Sequence, residues 1–92
     1  MKNLEKLIQK KKTHTLRRLK ERFEIEVSSE ELCKLNEEIS SGIYELSHFD
    51  KDRFGIFKIR KWECELYAVF QYNLNTVVTV LELDMDLQDF SL

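Results

Sequence analysis

The spacing of apolar residues changes along this chain from a helical period to an alternating one. Over roughly the first 40 residues, apolar positions recur three and four residues apart, which places them on one face of an α-helix. From residue 43 onward, apolar and polar residues mostly alternate, as they do in a strand with one buried face. The order of the two periods predicts helices first and an antiparallel sheet after them.

Two to three helices are predicted. The apolar pattern of residues 4–8 and that of residues 16–23 lie about a quarter turn apart on a helical projection. We therefore expect the run from Lys10 to Thr13 to interrupt the helix, with Thr13 as the N-cap of a separate helix over about 14–24.

The next helix has clearer boundaries. Ser28 and Glu31 have the spacing of a capping box, which predicts a helix start at this point. Gly42 is suited to the left-handed position that follows a helix C-terminus.

Three or four strands are expected after Gly42, because β-prone runs alternate with short polar connections. These runs cover residues 43–46, 54–59, 64–72 and 76–83. Helices followed by strands indicate an α+β fold. We expect a single domain over residues 1–92, with the helices packed on one face of a three- to four-stranded antiparallel sheet.

Charge is distributed unevenly, although the whole chain has a net charge of only −2. Residues 1–22 contain nine Lys and Arg against two Glu, a net charge of +7. Residues 23–50 contain one Lys against eight acids, a net charge of −7. The first quarter therefore suits an anionic partner, and the second suits a basic one.

The most specific candidate site is a stripe of His14, Arg18 and Arg22 within the basic quarter. Residues four apart are neighbours on a helix surface. A histidine transfers protons near neutral pH, and arginines stabilise charge that develops on a phosphate. Two interpretations stay open: a site that binds or cleaves a phosphodiester, or a solvated helix face whose arginine stems cover the edge of the core.

A second basic cluster is formed by Lys58, Arg60 and Lys61, with Tyr67 on the following strand. Lys58 and Arg60 share a strand face, and aromatic residues near basic ones stack on unpaired bases. If this face adjoins the helix that carries His14, the two clusters form one phosphate-binding groove. The alternative is that these cations prevent strand pairing at a sheet edge.

Other classes of site find little support in the sequence. Cys33 and Cys64 have no histidine nearby in sequence, which favours reduced core residues over nucleophiles. The chain contains no phosphate-binding glycine loop or dinucleotide fingerprint. We expect no metal or organic cofactor. The sequence contains no apolar run long enough to span a membrane and no secretory signal, so a cytoplasmic protein that does not bind membranes is expected.

The chain resembles a group of small phage- and toxin-associated proteins in three of its segments. These are the segment from His14 to Phe23, the capped helix to Gly42 and the predicted strand Thr76–Leu81. The proteins are of the colicin D and RelE type, within the barnase-like ribonuclease superfamily. The resemblance implies helices before an antiparallel sheet, and RNA cleavage without a metal. It further implies that His14 acts as the acid/base, that Arg18 and Arg22 bind phosphate, and that Thr79 contacts the substrate from the terminal strand.

The first functional hypothesis is therefore a metal-independent endoribonuclease of toxin type that acts on tRNA or ribosome-associated RNA through attack of the 2′-hydroxyl. A second is a phage-type protein that binds and blocks a host or rival protein through its acidic second helix and its acidic tail, which contains Asp84, Asp86 and Asp89. The expected protein partner is an inhibitor of the toxin in the first case and the target protein in the second. A third is an RNA-binding module that uses the same basic residues without chemistry.

Overall fold

The computed structural model describes residues 2–50 and 53–83, and the acidic tail lies outside the described residues. Two helices come first, α1 (Lys2–Phe23) and α2 (Ser29–Ser40). Four strands follow: β1 (Leu46–Asp50), β2 (Phe54–Lys61), β3 (Cys64–Gln71) and β4 (Thr76–Leu81). The strands form one antiparallel sheet in the order β1-β2-β3-β4. The predicted α+β arrangement of helices packed against an antiparallel sheet is confirmed.

Helix α1 is continuous over 22 residues, so the predicted interruption at residues 10–13 is wrong. The Thr13 hydroxyl donates to the Gln9 carbonyl at 3.0 Å, one turn back in the same helix, instead of capping a new one. Lysine is a good helix former, and the segment contains neither glycine nor proline to break the backbone ladder.

Helix α2 begins and ends as its local sequence predicts. The Ser28 hydroxyl accepts from the Glu31 N–H at 3.1 Å, and the Glu31 carboxylate accepts from the Ser28 N–H, which completes the capping box. Gly42 follows the helix with φ +86°, the left-handed conformation that glycine adopts without a steric penalty.

The strands differ from the predicted ranges mainly at their ends. β1 begins at Leu46, where the predicted strand ends, because residues 43–45 connect α2 to the sheet and the Tyr44 hydroxyl donates to the Glu38 carboxylate at 3.1 Å. β4 ends at Leu81. The hairpin between β2 and β3 turns on Trp62 and Glu63, whose φ angles of 54° and 61° match the twist of the flanking strands.

The main core lies between the helices and one face of the sheet. Apolar side chains from both helices and from β2, β3 and β4 meet there, and most are less than a twentieth exposed: Leu19, Leu32, Leu35, Ile39, Phe57, Ile59, Leu66, Ala68, Phe70, Val77 and Val80. A smaller apolar cluster, called here the outer face, lies on the opposite side of the sheet and comprises Ile56, Val69, Val78 and Leu81.

Helix α1 lies along β4, which is the last strand in the sheet order. The Thr15 hydroxyl donates to the Val77 carbonyl at 2.9 Å, and an Arg22 guanidinium N–H donates to the Val80 carbonyl at 2.8 Å. From Thr15 to Arg22 the helix advances by about 10 Å, and from Val77 to Val80 the strand advances by about the same distance. Because the later helical residue contacts the later strand residue, α1 and β4 run side by side in the same direction. The Val77 N–H donates to Asn36 Oδ1 of α2 at 2.8 Å. Side chains of both helices therefore satisfy the backbone groups of this strand edge.

Candidate nucleic-acid interface

The predicted stripe of His14, Arg18 and Arg22 winds around α1 from its exposed flank into the sheet. Each step of four residues turns about 40° beyond a full rotation at 100° per residue. His14 is half-buried, and the Arg18 side chain is 35 % exposed and pairs with Glu21 at 3.4 Å. Arg22 reaches the Val80 carbonyl, as described above. The structure thus places Arg22 in the contact between helix and sheet, away from an open surface beside His14.

Arg17, which is not among the predicted site residues, contacts the imidazole of His14. Its Nη2 lies 3.4 Å from Nδ1 of His14, a geometry in which the arginine donates and the imidazole nitrogen accepts. The two residues are three apart on the same helix. That spacing is the sequence signal by which Arg17 is found.

The environment of His14 favours the neutral imidazole. Partial burial lowers the pKa of His14 below its ordinary value of 6.5, and the positive charges of Arg18, Arg17, Lys11 and Arg22 lower it further. A neutral imidazole at neutral pH accepts a proton, which is the state that a general base requires.

An open groove of about 470 Å³ runs along the side of α1 that faces away from β4. At about 100° per residue, Lys6, Lys10 and Arg17 lie nearly opposite Thr15, the residue that contacts β4. The described residues that line the groove include three cations and no acid: Lys6, Gln9, Lys10, Thr13, His14 and Arg17. We call this surface the α1 groove.

The second predicted basic cluster lies elsewhere. Lys58 pairs with Tyr67, and Arg60 pairs with Glu65, across β2 and β3. The alternation along β2 places Lys58 and Arg60 on the same side as Ile56, which belongs to the outer face. β3 and β4 separate these cations from α1, and the α1 groove faces away from the sheet. The structure therefore does not join the two clusters into one groove.

Lys61 lies on the opposite side of β2 and binds an acid of α2. Its Nζ is 2.9 Å from Oε1 of Glu38, which also accepts from the Tyr44 hydroxyl. The hydrogen bond from Lys61 lowers the pKa of Glu38, and the same bond raises the pKa of Lys61. This contact anchors α2 to the end of β2. It also removes Glu38 from the exposed acidic surface of α2, where Glu30, Glu31 and Glu37 remain exposed.

Thr79 lies in β4 opposite Val69 and is 8 % exposed. Because directly opposed residues share a face of the sheet, Thr79 belongs to the outer face and not to the α1 groove. The structure does not bring Thr79 and Arg17 to a common surface.

The two cysteines are free thiols in half-buried positions. The Lys12 ammonium donates to Cys33 Sγ at 3.0 Å, and the Cys64 thiol donates to the Lys61 carbonyl at 3.3 Å. Burial raises the pKa of Cys64, which disfavours its reactive thiolate. Within residues 2–50 and 53–83, no group of three His, Cys, Asp or Glu side chains could hold a metal ion.

No protein-family model, curated protein or solved structure matches this chain, so the resemblance to colicin D- and RelE-type proteins stays a prediction. Among the described helices, none combines the length and apolar character that crossing a membrane requires.

Proposed function

We propose that this protein binds RNA, and that the α1 groove holds the phosphate backbone. The observation that carries the proposal is the row of Lys6, Lys10 and Arg17 on the exposed side of one continuous helix, without an acid among the described lining residues. The row spans about 16 Å at 1.5 Å per residue. Lysine and arginine side chains are the usual ligands of phosphate oxygens in nucleic-acid complexes.

The choice of RNA rests on the resemblance to toxin-type ribonucleases, and the charge pattern supports a polyanion in general. The groove neutralises phosphates with three cations, so affinity is expected to fall steeply as salt rises. The acidic surface of α2 lies on a different helix and does not compete for the same ligand.

Binding is tested by fluorescence anisotropy with labelled tRNA and with a single-stranded ribo-oligonucleotide. Lys10→Glu and Arg17→Glu each replace a groove cation by an acid, and we expect each to weaken binding by roughly 10-fold or more at low salt. Lys34→Glu is the matched control, because Lys34 is an exposed cation on α2. If Lys34→Glu weakens RNA binding as much as Lys10→Glu and Arg17→Glu do, the α1 groove is not the binding site.

Metal-independent cleavage is the second candidate function, and the lowered pKa of His14 favours it. In this reaction, Nδ1 of neutral His14 exchanges the hydrogen bond from Arg17 for one from a ribose 2′-hydroxyl and takes the hydroxyl proton, and the oxygen attacks the adjacent phosphorus. The bond to the 5′-oxygen breaks, and that oxygen takes a proton from the protonated imidazole or from water. A 2′,3′-cyclic phosphate remains. Arg17 and Arg18 are the guanidiniums available to stabilise the charge on the non-bridging oxygens.

Cleavage is tested by incubating tRNA and ribosomal RNA with the protein in the presence of EDTA. We expect fragments that end in a cyclic phosphate, and their loss in His14→Ala while RNA binding persists. The absence of fragments at high protein concentration would reject cleavage of these RNAs and leave binding as the function.

A further inference from the structure

A second cavity opens beside the α1 groove, between the C-terminal half of α1 and the start of α2. It has a volume of about 650 Å³, within the range of small-molecule sites. Its lining combines apolar and polar side chains: Leu16, Arg17, Lys20, Ile25, Glu26, Val27, Ser28 and Glu31. We call it the α1–α2 cleft.

The floor of the α1–α2 cleft is apolar and fixed in place. Leu16, Ile25 and Val27 are half-buried, and all three pack against the main core. Ser28 and Glu31, at one end, are held by the capping box of α2. A flat apolar group that enters the cleft therefore meets a preformed surface and orders few additional side chains, which keeps the entropic cost of binding low.

Arg17 joins the two cavities, since it lines both the α1 groove and the α1–α2 cleft. A phosphate bound by Arg17 in the groove has its own nucleotide beside the cleft. The mouth of the cleft carries one more pair of charges, Lys20 and Glu26, at 3.4 Å. Both side chains are largely exposed, 69 % and 84 %, so water screens this pair and its opening costs little.

From this continuity we infer that the α1–α2 cleft binds an unpaired base of the RNA whose backbone lies in the α1 groove. The inference rests on the proposed function and adds the class of substrate. A base in a duplex is stacked between its neighbours and paired on its polar edge, so it cannot enter a cleft on the protein surface. The protein accordingly selects single-stranded or looped RNA over duplex RNA.

The test compares three labelled RNAs of equal phosphate number by fluorescence anisotropy. These are a single strand, a strand with the same sugar–phosphate backbone but without bases, and a duplex. We expect the intact single strand to bind roughly 10-fold more tightly than the abasic strand, because a base on the floor of Leu16, Ile25 and Val27 removes apolar surface from water. Val27→Gln is expected to bind the intact strand only as tightly as the wild type binds the abasic strand. The affinity for the abasic strand should be the same in Val27→Gln and in the wild type.

Ile43→Gln is the matched control, because Ile43 is 66 % exposed and lies in the connection between α2 and β1. Equal affinity of the wild type for intact and abasic strands, or for single strand and duplex, would overturn the base site. If no RNA binds at low salt, the proposed function fails as well, and the two failures are thereby distinguished. Circular dichroism checks that Val27→Gln folds. If the variant does not fold, the affinities of the wild type for the intact and abasic strands test the base site without it.

Discussion

Thr15 donates its hydroxyl hydrogen bond to the Val77 carbonyl at 2.9 Å, although the two residues are 62 positions apart. The same hydroxyl lies 2.9 Å from the Lys11 carbonyl within α1. Thr15 and Val77 are both fully buried, so water does not replace the hydroxyl at the Val77 carbonyl if the hydroxyl is lost. This contact holds α1 against β4 and so fixes the direction in which the α1 groove faces.

Thr15→Val keeps the shape of the side chain and removes the donor. We expect the free energy of unfolding to fall by about 1–3 kcal/mol, since a buried carbonyl loses its partner. Urea denaturation followed by circular dichroism measures the change. Thr13→Val is the control: Thr13 is exposed and bonds only within α1, so a change of about 0.5 kcal/mol or less is expected there. Equal losses for the two variants would contradict the role given to Thr15.

Gly55 of β2 is closely covered by the ring of Tyr72, and a Cβ at position 55 would collide with the Tyr72 hydroxyl. Gly55→Ala is therefore expected to destabilise the fold by about 1–3 kcal/mol. In a Tyr72→Ala background the same substitution should cost less, because the ring of Phe57, 2.9 Å from the added Cβ, is then the remaining obstruction. A double-mutant cycle by urea denaturation tests this, and additive losses would show that Tyr72 is not the cause.

His14 makes stability dependent on pH in a defined direction. Its folded pKa lies below 6.5, so under more acidic conditions the unfolded chain binds more protons at this residue than the folded protein. The free energy of unfolding should therefore decrease as the pH falls from about 6.5 through the lowered pKa. Above that range His14 is neutral in both states, so it adds no pH dependence to the free energy of unfolding. His14→Gln is expected to show a smaller decrease between about pH 7 and pH 5 in urea denaturation. Parallel curves for the two proteins would contradict the perturbed pKa.

The same residue links RNA binding to protonation. A phosphate in the α1 groove favours the charged imidazole, so binding takes up a proton, and affinity should rise as the pH falls toward the lowered pKa of His14 in the free protein. In His14→Gln, binding should vary less over this range. Anisotropy titrations at several pH values measure the effect, and an unchanged pH profile in the variant would show that His14 lies outside the contact.

Features that depend on neighbouring residues are predicted well from this sequence. The capping box of Ser28 and Glu31 and the left-handed Gly42 are local, and both ends of α2 follow from them. The alternation predicted over residues 64–72 likewise identifies β3, which ends one residue earlier, at Gln71. The predicted interruption of α1 is wrong. The apolar residues of its two halves point to different sides of the helix, which suggests two helices, but the backbone hydrogen bonds continue through residues 10–13.

The candidate site is harder to predict because its geometry depends on distant contacts. Arg22 has the right type and spacing for a phosphate ligand, but its position is set by the Val80 carbonyl, 58 residues away. Lys58 and Arg60 share a face as expected, yet the order of the strands places β3 and β4 between them and α1. The spacing of three residues from His14 points to Arg17, but only the structure shows that Arg17 lines two cavities.

RNA binding through α1 is tested most directly by NMR titration of the ¹⁵N-labelled protein with a single-stranded ribo-oligonucleotide at low salt. We predict that the amide shifts that change on binding cluster between Lys6 and Lys20, with a smaller set at Ile25 and Val27. The amides of Glu30 and Glu37 on the exposed side of α2 should change little. An absence of shifts at saturating RNA, or shifts centred on α2 or on Lys58 and Arg60, would contradict the account.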